Sequence, residues 1–443
     1  MSEVEKISAV FKTTGQPTVT YVQRDSGALE RRLGSYLDEA GQLCLITGPS
    51  KTGKTTLYKK VLQERGLVPL VVQCTKGRTC EDIWRLALEG VNFERVIAVQ
   101  QFSEKSSSMS VEAGTKIGWH WLAEVSGKIA SSVDAKESES ETREKIVSQP
   151  SPDLLIPILR HTNYILVIED FHYLDESQKI LLFQQWKRFI DSEITVLILG
   201  TTHRAVDIAS SNKDLIGRIA QIDVTQWDRS DLIKICQTGF DYLKITAASV
   251  VQEFIATEAV GLPILVQQVC LEAVNRKDIY TVRDSKKKKI SLSVGDVKAA
   301  CHQVAGGKYT VFGTHYETLI RGPREKLRKY KTYELVLACF AIDPIKFSLT
   351  RSEIDSRISR VSNSDAIKPP AASINSTLGA LKQFQDKRDF ELLEWRVRED
   401  KLYIVEPSFL FYVRWRRSER NQSGEQLDLF EGLLNEIADR EGR

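Results

Sequence analysis

One segment near the start of the chain constrains the fold more than any other. It fits the phosphate-binding pattern G-x-x-x-x-G-K-[ST] at every fixed position. The apolar run 43–47 before it predicts a buried strand, and the segment 56–62 after it predicts a helix. In such a loop the backbone N–H groups face a phosphate, and the helix N-terminus adds partial positive charge. The predicted phosphate site consists of Gly48, Pro49, Ser50, Lys51, Thr52, Gly53, Lys54, Thr55 and Thr56.

Two side chains of this loop are expected to do distinct chemical work. Lys54 should reach the β- and γ-phosphates, and the Thr55 hydroxyl should be a ligand of Mg²⁺. Gly48 and Gly53 allow close approach of the backbone and unusual dihedral angles. The pattern therefore predicts a site for a nucleoside triphosphate with its magnesium ion.

An acidic pair, Glu169 and Asp170, follows the apolar run 164–168, which predicts another strand. One carboxylate should hold the Mg²⁺ shell, and the other should orient or deprotonate the attacking water. The usual order in this class is Asp then Glu or Asp then Asp, whereas this chain has Glu first. We assign Glu169 to the metal and Asp170 to the water; a surface acidic pair is the alternative.

Two further positions are candidates for the hydrolysis step. Thr201 or Thr202 follows the predicted strand 194–200 and could place the attacking water, and we select Thr202. Arg218 lies just before the last predicted strand, 219–224. An arginine there can neutralise charge on the γ-phosphate of a neighbouring subunit's nucleotide. A structural salt bridge is an equal alternative for Arg218.

Apolar strands that alternate with helices predict an α/β fold, with a parallel sheet covered on both faces. Helices at 231–238, at 249–256 and from 263 onward predict a helical lid, with an exposed loop at 286–289. Three later helices and a β-hairpin predict a winged helix. The predicted domains are an ATPase core at 1–228 with a Ser-rich insertion at 96–144, a lid at 229–310, a winged helix at 311–420 and a tail at 421–443. We expect the insertion to be a long flexible hairpin or a partly disordered loop.

Composition excludes few function classes. The 443 residues are 42% hydrophobic and 27% charged, as in an ordinary globular protein, and no apolar run approaches the roughly 20 residues that span a bilayer. The seven scattered cysteines and the lack of a signal peptide predict a reduced, cytoplasmic protein. A net charge of +3 does not by itself imply a nucleic-acid partner. Basic clusters at 321–331 and 414–420 are either solvated surface or DNA contacts.

The order of these motifs resembles that of AAA+ ATPases related to origin-recognition initiators, and that of the signal-transducing STAND ATPases. The loop followed by 168–174 is similar to a bacterial group described only as ATP-binding proteins. Tyr21–Arg24 resembles the motif that those families place against adenine, which implies that Val22 and Arg24 bind the nucleotide. Gly261–Pro263 resembles the start of their lid helix, which implies that Pro263 binds it too. The resemblance implies ATP and Mg²⁺ as cofactors and a homo-oligomer that forms when ATP binds.

Two functions remain open at this point. One is a DNA-associated ATPase that loads or remodels something on DNA. The other is a signalling switch whose winged helix senses the nucleotide without binding DNA. The tail segment Gln426–Phe430 resembles the peptide by which bacterial proteins dock on the replication sliding clamp, although an amphipathic helix would give the same pattern.

Overall fold

The structure is a computed structural model, and it describes residues 5–91, 150–201, 217–224, 226–323, 330–361 and 368–416. The predicted insertion, Thr202 and the tail with its clamp-like motif lie outside these residues. The chain divides into two compact units. The sheet unit comprises residues 23–48 and 53–225, and the helical unit comprises residues 1–22, 49–52 and 226–443.

The sheet unit is an α/β structure, as the sequence predicts. In the part of the chain that the structure describes, its sheet has five parallel strands in the order β2-β3-β4-β1-β5. The strands are β1 Leu43–Thr47, β2 Val68–Gln73, β3 Tyr164–Glu169, β4 Val196–Leu199 and β5 Ile219–Asp223. The helices are α2 Ala28–Asp38, α3 Lys54–Glu64, α4 Cys80–Glu89, α5 Pro152–His161 and α6 Glu176–Asp191.

The three central strands, β1, β3 and β4, are buried on both faces, which explains why they are apolar runs without alternation. Leu43 and Leu45 of β1 pack in one core with Trp84 of α4 and Trp186 of α6. Cys44 and Ile46 of β1 point to the opposite face and pack with Leu33, Tyr58 and Leu62 from α2 and α3. Because successive side chains of a strand face opposite sides, a strand covered on both faces needs apolar residues throughout.

The first part of the helical unit consists of helices and one very small sheet. The helices are α1 Ile7–Val10, α7 Arg229–Leu243, α8 Ser249–Glu258, α9 Pro263–Asn275, α10 Val282–Lys287 and α11 Val294–Lys308. Strands β6 Thr246–Ala247 and β7 Ser291–Leu292 pair in parallel. The expectation of a loop at 286–289 is wrong for Lys286 and Lys287, which end α10. That helix forms because the Thr281 hydroxyl accepts a hydrogen bond from the Asp284 N–H.

The second part of the helical unit has the predicted winged-helix order. Its helices are α12 Phe312–Arg321, α13 Thr332–Ala341, α14 Arg351–Val361, α15 Ala371–Asp386 and α16 Ser408–Trp415. Strands β8 Ser348–Thr350, β9 Leu393–Arg396 and β10 Lys401–Ile404 form an antiparallel sheet in the order β8-β10-β9. A capping box begins α14: Thr350 N donates to Glu353 Oε2 at 2.8 Å, and Glu353 N donates to Thr350 Oγ1 at 3.2 Å. The sequence interpretation missed α12, β8 and α16.

One apolar core runs through the whole helical unit and crosses the predicted boundary at residue 310. A buried ion pair ties its two parts together, because Arg414 of α16 donates through Nε and Nη2 to the Glu258 carboxylate of α8, at 3.0 and 2.8 Å. Both residues are buried. Arg414 was expected to begin an exposed basic cluster, and that expectation is wrong because its guanidinium is enclosed with its carboxylate partner.

Among the described residues, no helix has the length and apolarity needed to cross a bilayer.

Candidate nucleotide site

The loop after β1 requires glycine at its first position. Gly48 has a φ of +141°, and a Cβ placed there would lie 2.1 Å from the carbonyl oxygen of Val224. That carbonyl is fixed, since the Val224 N–H donates to the Thr47 carbonyl at 2.7 Å where β5 runs beside β1. The close approach of the two backbones therefore excludes any side chain at position 48.

Lys54 folds back over the loop to which it belongs. Gly53, at φ +98°, turns the chain into α3, and Lys54 is the first residue of that helix. The Lys54 ammonium donates to the Gly48 carbonyl oxygen at 2.8 Å. The phosphate-loop pattern predicts that this ammonium binds the β- and γ-phosphates of a nucleotide.

The predicted metal ligands lie together at the carboxyl edge of the sheet. Thr55 Oγ1, on the first turn of α3, donates to Glu169 Oε1 at the end of β3, at 3.1 Å. Mg²⁺ in nucleotide sites takes one or two protein oxygens and completes its octahedron with water and phosphate oxygens. A hydroxyl and a carboxylate in contact, beside a phosphate loop, fit that requirement.

Asp170 has a hydrogen-bond partner that the sequence interpretation did not identify. Gln73 ends β2, directly opposite Glu169 in the strand pairing. Its Nε2 donates to Asp170 Oδ2 at 2.9 Å. Asp170 itself has a left-handed backbone, with φ +57°. The signal that could have revealed Gln73 is a polar residue at the end of the strand next to the acidic one.

Two more titratable groups lie beside the acidic pair and were also missed. Tyr58 is fully buried on α3, one turn after Thr55. Burial raises the pKa of its hydroxyl above the usual range, and the Glu169 carboxylate raises it further. Burial lowers the pKa of His172 to about 4, against the opposing effect of the Asp170 charge. His172 is therefore a neutral imidazole at pH 7.

The tip of the loop, residues 49–52, belongs to the helical unit by its contacts. The Thr52 side chain is buried, and its hydroxyl donates to the Pro49 carbonyl at 2.9 Å. The indole N–H of Trp227 donates to the Thr52 carbonyl at 2.8 Å. Lys51 forms a salt bridge with Glu406, with its ammonium 3.4 Å from Oε1. These contacts fix the tip through residues that no phosphate-loop pattern contains.

The other predicted site residues lie in separate places. Arg24 begins a 3₁₀ turn in the sheet unit. Val22 and Pro263 belong to the helical unit, where Val22 packs on the core and Pro263 is the first residue of α9. Arg218 is exposed just before the edge strand β5. Ser50 and Thr56 are partly buried. The structure thus brings together Gly48, Lys54, Thr55, Glu169 and Asp170.

Comparisons with known proteins reveal only distant structural likenesses. No family model and no curated protein matches the chain. A solved Walker-type ATPase of Pyrococcus abyssi is 16% identical, with 90% of this chain and 100% of that one covered, at a TM-score of 0.47. The Aeropyrum pernix ORC1 protein, solved in complex with DNA, is 13% identical. The match covers 89% of this chain and 92% of that one, at a TM-score of 0.38. The Thermotoga maritima RuvB Holliday junction branch migration motor is 13% identical. The match covers 88% of this chain and 97% of that one, at a TM-score of 0.36.

Proposed function

We propose that this protein binds ATP with Mg²⁺ and hydrolyses the γ-phosphate. The observation that supports this most directly is the 3.1 Å hydrogen bond between Thr55 and Glu169, formed beside a glycine loop and a loop lysine. A threonine and a carboxylate that converge after two different strands are what a phosphate-bound magnesium ion requires. A Gly/Lys loop that arose by chance would not need the Glu169 carboxylate at the end of a second strand.

The protein groups have separate roles in this proposal. When ATP binds, the Lys54 ammonium leaves the Gly48 carbonyl oxygen and donates to the β- and γ-phosphate oxygens. Thr55 and Glu169 would hold the magnesium ion, which would neutralise charge on those oxygens. Asp170 orients a water for in-line attack on the γ-phosphorus and accepts its proton, while the bond to the bridging oxygen breaks and ADP leaves with that electron pair. Gln73 holds the carboxylate that does this.

The test uses two substitutions in the full chain and one control. Lys54→Ala should abolish ATP binding, because the loop amides cannot replace the lysine charge. Asp170→Asn should bind ATP and lower the hydrolysis rate by roughly 10²–10⁴-fold, the usual contribution of a general base. Lys60→Ala, on the outer part of the same helix, should behave as wild type. Unchanged ATP binding by Lys54→Ala would show that the loop is not a nucleotide site.

A DNA-associated role has limited support from the described residues. The winged-helix topology favours it, since that fold often reads DNA. However, the central part of α15, residues 373–382, carries a single charged side chain. Arg396 of the wing is engaged by Glu399 at 2.9 Å and Glu394 at 3.4 Å. Phosphate contacts supply most non-specific affinity for DNA, so the central part of α15 and Arg396 are poorly suited to bind a DNA backbone.

A nucleotide-responsive switch is the second candidate, and one observation favours it. The loop tip contacts Glu406, which follows the wing strand β10, and Ser408, which is the first residue of α16. A winged helix that contacts the phosphate loop can respond to what the loop holds. A DNA-binding assay with and without ATP separates the two candidates, because the switch predicts no DNA binding in either state.

Assembly on ATP binding is also part of the proposal. Arg218 is exposed at the start of an edge strand, which suits a side chain that reaches a second subunit. The clamp-docking role of Gln426–Phe430 stays a prediction from the sequence. So does the cytoplasmic location, which the buried free cysteines of the chain support.

A further inference from the structure

The Tyr58 hydroxyl is enclosed beside the candidate nucleotide site. Tyr58 lies on α3, one turn after Thr55, and its side chain is fully buried. Within the part of the chain that the structure describes, its hydroxyl oxygen has no hydrogen-bond partner. A buried hydroxyl without a partner costs free energy that a phenylalanine at the same position would not cost. Such a group in a native fold requires an explanation, and a role in the site is one.

The strand that ends in Glu169 directs this side chain to the same face of the sheet as Tyr58. The Tyr58 ring packs in one core with Ile165 and Val167 of β3. The alternate residues of β3 pack in the core on the opposite face. Because side chains two residues apart on a strand face the same side, Glu169 continues the row of Ile165 and Val167. Glu169 and Tyr58 therefore lie on one side of the sheet, at its carboxyl edge.

The Glu169 carboxylate lies near the Tyr58 hydroxyl. Burial raises the pKa of this hydroxyl most, and the negative charge of Glu169 raises it further. The two groups are thus within range of each other, although they form no hydrogen bond of normal geometry. In this structure Glu169 Oε1 instead accepts a hydrogen bond from Thr55, at 3.1 Å. A rotation at the end of the glutamate side chain would bring a carboxylate oxygen to the Tyr58 hydroxyl.

A glutamate at this position benefits more from a second contact than an aspartate would. Aspartate is the usual metal-binding residue after this strand in phosphate-loop ATPases. Glutamate has one more rotatable bond, so fixing its carboxylate costs more conformational entropy. A neighbouring donor that orients a metal ligand raises the affinity for the metal, because the ligand is already in place. The extra length of Glu169 is what a fixed donor deeper in the core would compensate.

We propose that Tyr58 is a positioning residue of the magnesium site, whose hydroxyl donates to the Glu169 carboxylate when ATP and Mg²⁺ are bound. The proposal rests on the proposed function and adds a residue to the same site. Thr55 and Tyr58 are three positions apart on α3 and so lie on one side of that helix. Thr55 contacts the carboxylate from the first turn of α3, and Tyr58 contacts it from the next turn.

The experiment measures ATP affinity in the full chain, with saturating Mg²⁺ and again in EDTA, using Asp170→Asn as the parent to prevent turnover. The ratio of the two affinities reports how much the metal contributes to binding. Tyr58→Phe keeps the ring and removes only the hydroxyl. It should lower this ratio about tenfold, as the loss of a partner of a metal ligand does, and leave the affinity in EDTA unchanged. Tyr164→Phe, at the other end of β3, is the matched control and should keep the parent's ratio.

Two further measurements separate positioning from a structural role. Without ligand, the thermal midpoint of Tyr58→Phe should equal or exceed that of the parent, because the hydroxyl that is removed has no partner. In a Glu169→Ala background, Tyr58→Phe should cause no additional change in the affinity ratio. Both substitutions act through one carboxylate, so their effects should not add.

Three results would overturn the role of Tyr58. The first is an unchanged ratio for Tyr58→Phe, and the second is a further fall in the ratio on the Glu169→Ala background. The third is a lower thermal midpoint together with weaker ATP binding in EDTA, since the hydroxyl would then support the helix. A parent that binds no ATP, or that binds it equally with and without Mg²⁺, would instead contradict the proposed function. The two failures are therefore distinguishable.

Discussion

Gln73 and Asp170 are joined by a hydrogen bond of 2.9 Å between the last residue of β2 and the residue that follows β3. The amide donates, so the aspartate oxygen is held in one orientation. Gln73→Leu removes the donor and leaves the strand intact. We expect hydrolysis to fall by roughly tenfold, a part of the 10²–10⁴-fold contribution of a general base, with ATP affinity unchanged. Single-turnover hydrolysis and equilibrium binding separate the two effects.

Gln73→Glu offers a second check on the same contact. It places a carboxylate next to Asp170, and two like charges at that distance raise the pKa of one of them. The pH profile of hydrolysis should therefore shift to higher pH. A profile identical to wild type would mean that Asp170 is not the group that accepts the proton.

Gly48→Ala should disable the loop without touching any charged group. The new methyl would lie 2.1 Å from the Val224 carbonyl oxygen, so either the loop or β5 must move. We expect at least a tenfold loss of ATP affinity and a lower thermal midpoint. Gly379→Ala is the matched control, since a Cβ there meets nothing within 4 Å. That exposed helical position should gain about 0.5–1 kcal/mol from the same substitution.

Arg414→Met should be among the most destabilising changes in the helical unit. It leaves the Glu258 carboxylate buried without its guanidinium, and breaking a buried pair in this way costs about 3–5 kcal/mol. Chemical denaturation of the full chain measures the loss. Arg398→Met, at an exposed wing position, should have little effect. The double variant Arg414→Met with Glu258→Leu should recover much of the stability, because no uncompensated charge remains.

Arg218 can be tested for action on a neighbouring subunit. Arg218→Ala and Asp170→Asn each inactivate a different half of a shared site. Mixed assemblies would contain some interfaces with both groups intact, so turnover should reappear when the two proteins are combined. Inactivity at every mixing ratio, or a chain that stays monomeric with a non-hydrolysable ATP analogue, favours the structural salt bridge for Arg218.

The capping box of α14 should give the winged-helix part an acid-sensitive contribution to stability. The Lys346 ammonium and the Thr350 N–H lower the pKa of Glu353 to about 2 from an ordinary value near 4.5. The charged form is favoured by folding, so the stabilisation is full above about pH 4.5 and is lost as the pH falls toward 2. Glu353→Gln should lower the thermal midpoint at pH 7 by the equivalent of about 1 kcal/mol. That difference should shrink steadily below pH 4.

Much of the sheet unit was predictable because its signals are local. A glycine-rich loop between an apolar run and a helix occupies residues 43–62, and an acidic pair after another apolar run occupies residues 164–170. The capping box at Thr350 is of the same kind. The prediction of a loop at 286–289 was wrong because a threonine cap starts a helix that continues into the run of lysines. In each case the residues that determine the local structure lie within one short segment of the sequence.

Three contacts that the sequence interpretation missed depend on distant partners. Gln73 matters only because β2 pairs with β3, across almost 100 residues of chain. Lys51 fits any phosphate loop, and nothing near it in sequence points to Glu406. Arg414 looked like a member of a basic cluster until its carboxylate appeared on α8. Pairings of this kind follow from the tertiary fold, which periodicity does not specify.

The continuous core of the helical unit has a consequence for how this part of the chain comes apart. Regions that share one core and an internal ion pair tend to open together in a single cooperative step. Residues 229–308 and 332–416 share both. Amide protons in α9 and in α13 should therefore exchange with one common free energy of opening. A boundary cut at residue 310 would give two fragments that each expose half of that core, and neither should fold alone.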